Sequence, residues 1–114
     1  MDPNEPPEYE LSYQPRAAQD LDRILAYITL ELSAPESALN LIDEIEHACE
    51  SLRIFPSRAP KLRAPDLALY GYRMMTVGNF LIIFIIDEGS RIVRIERVVY
   101  SRRDLASALT NVTD

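Results

Sequence analysis

Seven consecutive apolar residues, Phe80 to Ile86, run without interruption near the middle of the C-terminal half. Isoleucine and phenylalanine dominate this run, and both favour a pleated strand over a helix. Turn-forming residues lie on both sides of it, at 78–79 and 87–90, and separate it from two further strand-like runs at 70–76 and 91–100. Short loops that contain glycine are typical of hairpins. The pattern therefore predicts a three-stranded antiparallel meander with a central strand at Phe80–Asp87.

Two amphipathic helices are predicted before the meander. The first begins at Pro15, and its apolar residues recur at helical spacing from Ala17 to Leu32. The second begins near Ser33, which has capping-box spacing to Glu36, and ends before 55–56. Because the link between the helices is short, they should form an antiparallel hairpin that covers one face of the meander.

Residues 9–13 alternate between apolar and polar side chains, as expected for a short strand at a sheet edge. The sequence therefore predicts an α+β fold of the order β-α-α-β-β-β. We expect one domain at 9–109, which includes a short helix after residue 101, with tails at 1–8 and 110–114. The helical hairpin can cover only one face of the central strand, so we expect another protein chain to cover the second face.

The charge is unevenly distributed. The net charge is −6, with 6 basic and 13 acidic residues at 1–66 and 6 basic and 5 acidic residues at 67–114. An acidic chain disfavours general nucleic-acid binding. The sequence has no signal-peptide pattern and no apolar run long enough to span a bilayer, so a cytoplasmic protein without membrane contact is expected.

Few residues suggest metal or nucleophilic chemistry. His47 is the only histidine, and although Asp43 and Glu50 are one turn away, such spacing is common by chance on an acidic helix face. Cys49 is the only cysteine and lies on the predicted buried stripe, which favours a packed thiol over a nucleophile. We therefore predict no metal site and no cofactor.

Aromatic and basic residues at the strand ends are the best candidates for contact with a target. One pair begins the first strand of the meander and a second group follows the last strand. These candidates are Tyr72, Arg73, Tyr100, Arg102 and Arg103.

Arg97 has a different predicted role. It shares its predicted strand face with Val93 and Val99, and an arginine among apolar side chains is costly unless it is paired. We therefore expect a structural ion pair with Asp87 or Asp20.

Several segments, taken in order, resemble the ParE/RelE superfamily of toxins from type II toxin–antitoxin modules, also described as plasmid stabilisation proteins. The resemblance covers residues 9–105 and is carried by 9–21, 52–56, 72–73, 77–87 and 95–105. It implies a helical hairpin packed on a twisted antiparallel sheet. It also implies a hetero-oligomer with a cognate antitoxin, through which alone the toxin would bind DNA. Since the helices are acidic, we expect that contact to be mainly apolar, with basic antitoxin residues facing them.

Three positions depart from the ribonuclease branch of this superfamily. Leu81 occupies the place of an arginine associated with mRNA cleavage, Met75 replaces a basic residue, and Tyr100 stands where many members have histidine. These departures favour the ParE-like branch, whose members inhibit DNA gyrase by protein contact rather than by catalysis. The alternatives are a ribosome-dependent mRNA endonuclease that uses Arg73, Tyr100 and the arginines at 102–103, or a non-toxic member that retains only antitoxin binding.

Overall fold

The computed structural model describes residues 8–62 and 70–100. Strand β1 (Glu10–Tyr13) is followed by helix α1 (Pro15–Ala26), which continues as a π-helical turn at Tyr27–Glu31. Helix α2 (Pro35–Ser51), a 3-10 turn (Pro56–Arg58) and strands β2 (Arg73–Val77), β3 (Phe80–Asp87) and β4 (Ile92–Val99) complete the order. The predicted α+β fold and its element order are confirmed.

The four strands form one sheet in the order β1-β4-β3-β2. β3 is antiparallel to both β2 and β4, and β1 lies at the edge, parallel to β4. The predicted bounds of β3 and the predicted edge position of β1 are therefore confirmed. β2 begins at Arg73 rather than at Tyr70, because Gly71 has a φ of 84° and places a turn there.

Both helices begin with proline, where the missing N–H costs no hydrogen bond. The predicted capping box is wrong: Ala34 is the N-cap of α2, and no side chain caps it. Ser33 precedes it with a φ of 50° and belongs to the chain reversal between the helices. Leu32, predicted on the buried stripe, is 55% exposed. The π-helical turn changes the helical phase after Ala26, so the stripe does not continue to Leu32.

One face of the sheet packs against the helical hairpin. Alternate residues of β3 point to this face, and the core is closed by residues of both helices. Its fully or nearly fully buried members are Ala17, Ile45, Cys49, Leu52, Ala59, Ile82, Phe84, Val93, Ile95 and Val98.

The prediction that the second face of the sheet needs another chain is wrong. Leu81 is 2% exposed and Ile83 is fully buried within this chain. They belong to a second cluster that also contains Leu62, Tyr72, Met74 and Val99. Residues 60–62 run beside β2, where Leu62 N–H donates to the Tyr72 carbonyl at 3.0 Å. A segment interpreted as a plain loop thus contributes an apolar side chain to this cluster.

A β-bulge changes the faces of β4. Ile83 lies opposite Arg97 and Phe84 lies opposite Ile95, so Glu96 is an extra residue in β4. After the bulge, Val98 rather than Val99 joins the helix-facing core. The expectation that Val99 shares a face with Val93 is therefore wrong.

Candidate interaction surfaces

The structure does not bring the described target-binding candidates together. Tyr72 is 7% exposed in the second cluster, and burial together with the Glu96 carboxylate raises its pKa. Arg73 uses Nη1 to donate to the carbonyl oxygen of Ala59 at 2.8 Å and so holds the 3-10 turn against β2. Tyr100 is 63% exposed and follows Val99, which pairs with Leu81 at the start of β3.

Tyr100 packs edge-on against Phe80, with 5.3 Å between ring centroids. Its exposure leaves it free to contact a target, but the register separates it from Arg73, which lies opposite Phe84. Arg102 and Arg103 lie outside the described residues, as does the short helix predicted after residue 101. A composite site built from all five candidates therefore remains a prediction.

The predicted ion pair of Arg97 is formed with Asp20. Arg97 Nε donates to Asp20 Oδ2 at 2.7 Å, and Nη2 donates to Oδ1 at 2.9 Å. The side chains are 12% and 8% exposed. Asp87, the other predicted partner, pairs with Arg94 at 2.8 Å.

The fold explains why an aspartate is buried at this place. β1 ends at Tyr13, opposite Ile95, and β4 continues beyond this point, where no strand of the described residues lies on that side. Helix α1 crosses this gap, and Val98 N–H donates to Asp20 Oδ2 at 2.9 Å. Asp20 therefore satisfies a backbone donor at the edge of β4 as well as the guanidinium group.

The turn of the helical hairpin exposes large apolar side chains. We define the apolar tip as the four such residues between the end of α1 and the first turns of α2. They are 55–74% exposed: Tyr27, Leu30, Leu32 and Leu39. Two of the four lie in the π-helical turn, a feature frequent at functional sites. Exposed apolar side chains grouped in this way indicate a protein-binding surface.

The helical hairpin that carries this tip is acidic. Residues 15–51 contain 2 arginines and 8 acidic residues, a balance of −6 that equals the net charge of the whole chain. The helical hairpin is therefore an acidic element with an apolar end. Sequence reasoning missed the tip, although Tyr27, Leu30 and Leu39 lie off the predicted stripes and could have indicated it.

The remaining polar chemistry is limited. His47 Nδ1 lies 2.8 Å from the Asp43 carbonyl oxygen of its own helix. Burial raises the pKa of the Cys49 thiol to about 11, which disfavours the reactive thiolate. The described residues contain no group of three metal-ligating side chains. Among these residues, no helix is both long and apolar enough to cross a membrane.

Comparison with solved structures supports the fold. The chromosomal ParDE system of P. aeruginosa matches with a TM-score of 0.65 at 23% identity, over 83% of this chain and 98% of that chain. The toxin–antitoxin complex RelBE2 of Mycobacterium tuberculosis matches with a TM-score of 0.58 at 23% identity, over 82% and 98%. Free E. coli toxin RelE with two arginines mutated matches with a TM-score of 0.60 at 9% identity, over 93% and 95%.

A comparison with curated proteins gives no match. The family model for the ParE toxin of the type II toxin–antitoxin system parDE, however, matches residues 11–105. This range includes both helices, all of β2 to β4 and most of β1. The chain therefore belongs to the ParE toxin family of type II toxin–antitoxin systems.

Proposed function

We propose that this chain is a cytoplasmic toxin that inhibits DNA gyrase by protein contact and is neutralised by a cognate antitoxin. The observation that carries the proposal is the burial of Leu81. The resemblance assigns an arginine of the ribonuclease branch to this position, whereas Leu81 is 2% exposed within an apolar cluster. A buried leucine can neither bind a phosphate nor stabilise its developing charge.

Neighbouring positions support the same conclusion. Arg73 is held by the carbonyl oxygens of Ser57 and Ala59, and Met75 packs against the helix-facing core. Glu96 lies close enough to Tyr72 to raise its pKa, so it places a carboxylate near the second cluster. A carboxylate at this place would repel an RNA phosphate. The described part of this face thus favours protein contact over phosphate chemistry.

The apolar tip is the surface that we assign to the antitoxin. We expected a partner to cover the second sheet face, but that face is buried within the chain, so the apolar tip is assigned instead. Its apolar residues supply a hydrophobic contact, and the acidic hairpin around them favours a partner segment with basic residues. A second copy of this chain fits less well, because it would bring two hairpins of charge −6 together.

A ribosome-dependent mRNA endonuclease is the second candidate. One observation favours it: Tyr100 is 63% exposed, and two arginines follow it closely in sequence, at 102 and 103. An exposed tyrosine beside basic residues could act on an RNA phosphate. The third candidate, a non-toxic member, would retain the apolar tip and lack a target.

Induced expression in a bacterial host separates the three functions. We expect growth arrest, relaxed plasmid DNA and intact mRNA by primer extension, with growth restored by co-expression of the protein from the neighbouring gene. Codon-periodic mRNA cuts with normal supercoiling would refute gyrase inhibition and support the endonuclease. Normal growth together with a stable antitoxin complex would identify the non-toxic member.

A further inference from the structure

A cleft lined by residues of α1 and by Arg97 of β4 concentrates positive charge in an otherwise acidic chain. It has a volume of about 550 Å³ and is lined by Pro15, Arg16, Gln19, Asp20, Arg23 and Arg97. These six residues, which we call the arginine cleft, include three arginines and one aspartate. Arg97 already neutralises Asp20 at 2.7 Å. The remaining charge of +2 comes from Arg16 and Arg23.

Neither of these two arginines has a side-chain partner in the part of the chain that the structure describes. Within residues 8–62 and 70–100, neither Arg16 nor Arg23 makes a side-chain hydrogen bond or an ion pair, although acidic residues are abundant on both helices. They are seven residues apart and so lie on the same side of α1, about 10 Å apart along its axis. The exposed Gln19 lies between them and adds an amide donor. The cleft therefore presents three donor side chains in a row.

We infer that the arginine cleft binds an acidic segment of a protein partner, with carboxylates about 10 Å apart. An extended peptide has this spacing between residues three apart, and a helix has it between residues seven apart. Nucleic acid fits the cleft less well. The lining contains no aromatic side chain on which a base could stack, and nucleic-acid binding commonly uses about six to ten phosphate contacts.

The inference rests on the proposed function for its partner, the antitoxin encoded by the neighbouring gene. The antitoxin would then meet two surfaces of opposite character on one hairpin. A segment with apolar and basic residues would bind the apolar tip, and a segment with aspartate or glutamate would bind the arginine cleft. Charge complementarity at two places fixes the orientation of a partner more strongly than it raises its affinity.

The test measures antitoxin affinity for the wild-type toxin and for R16E/R23E. We expect about tenfold weaker binding by the double variant at low salt, and a difference below about threefold near 1 M salt, because exposed ion pairs are screened. The single variant R23E is compared with K61E as a control for the change of charge. Lys61 is exposed beside β2, away from α1, so K61E makes the same charge change without affecting binding.

Three outcomes would overturn the inference. Equal affinities of wild type and R16E/R23E would overturn the inference while leaving the proposed function intact. Failure of the wild-type pair to associate would refute both. Binding of a short labelled DNA that R16E/R23E abolishes, with unchanged antitoxin affinity, would overturn the inference in favour of nucleic acid. Melting curves of the variants check folding, and R16Q/R23Q repeats the test without adding new carboxylates.

Discussion

Removal of the Arg97 guanidinium is the most informative single perturbation of the fold. In Arg97→Ala, Asp20 loses two hydrogen bonds, at 2.7 and 2.9 Å, but keeps the one from Val98 N–H at 2.9 Å. Its side chain is only 8% exposed, so the remaining charge stays largely buried. Breaking a buried pair costs about 3–5 kcal/mol. Because one hydrogen bond remains and the cleft admits water, we expect Arg97→Ala to lower the free energy of unfolding by about 3 kcal/mol.

The assay is thermal unfolding followed by circular dichroism. For a chain of this length, 1 kcal/mol corresponds to roughly 4 °C, so the melting temperature of Arg97→Ala should fall by about 12 °C. Arg94→Ala is the matched control, because its pair with Asp87 is 36% and 27% exposed and should contribute less than about 1 kcal/mol. The double variant D20A/R97A should lose about 2 kcal/mol less than the sum of the single variants.

One result would refute this reasoning. If Arg97→Ala melts within about 2 °C of the wild type and yet no longer arrests growth, the structural role is wrong. Arg97 would then contact the target directly, from the floor of the arginine cleft.

Three further predictions test the apolar tip, the second cluster and the core thiol. Leu30→Asp should weaken antitoxin binding at least about tenfold. It should not lower the melting temperature, since Leu30 is 74% exposed. The wild-type complex should persist near 1 M salt, and its dissociation by salt would refute apolar contact. Leu81→Arg should destabilise the protein by about 3 kcal/mol or more without restoring mRNA cleavage, as primer extension would record. Burial raises the pKa of Cys49 from 9.0 to about 11, so the unfolded state binds fewer protons than the folded state between these pH values. The free energy of unfolding, measured by urea denaturation, should therefore fall as the pH rises from 9 to 11. Cys49→Ala should reduce this fall, and an unchanged slope would contradict the assignment.

Sequence alone predicted the elements whose signals are local. The bounds of β3 followed from seven apolar residues between two turns, and the start of α1 followed from Pro15. The acidic partner of Arg97 could also be anticipated, because an arginine on an apolar strand needs one. The choice between Asp20 and Asp87 could not, since it depends on where α1 crosses β4.

The bulge at Glu96 and the cover of the second face depend on contacts between distant segments. No residue near Glu96 distinguishes two-against-one pairing from regular pairing, because the extra residue is defined by its partners on β3. In the same way, Leu62 reaches the second cluster only because residues 60–62 run along β2. The π-helical turn had a similar effect, since it changed the helical phase and left Leu32, predicted on the buried stripe, exposed.

The positions of the two proposed contact surfaces, one on α1 and one at the π-helical turn that continues it, constrain the antitoxin. Arg16 and Leu30 are 14 residues apart, which corresponds to about 20 Å along the helix. An extended chain covers this distance in about six residues, and a helix needs about fourteen. A single antitoxin segment that binds both surfaces must therefore carry its acidic and its apolar-basic parts within that separation. If the neighbouring gene encodes these parts much further apart, two separate segments must bind, and deletion of either should weaken the complex only in part.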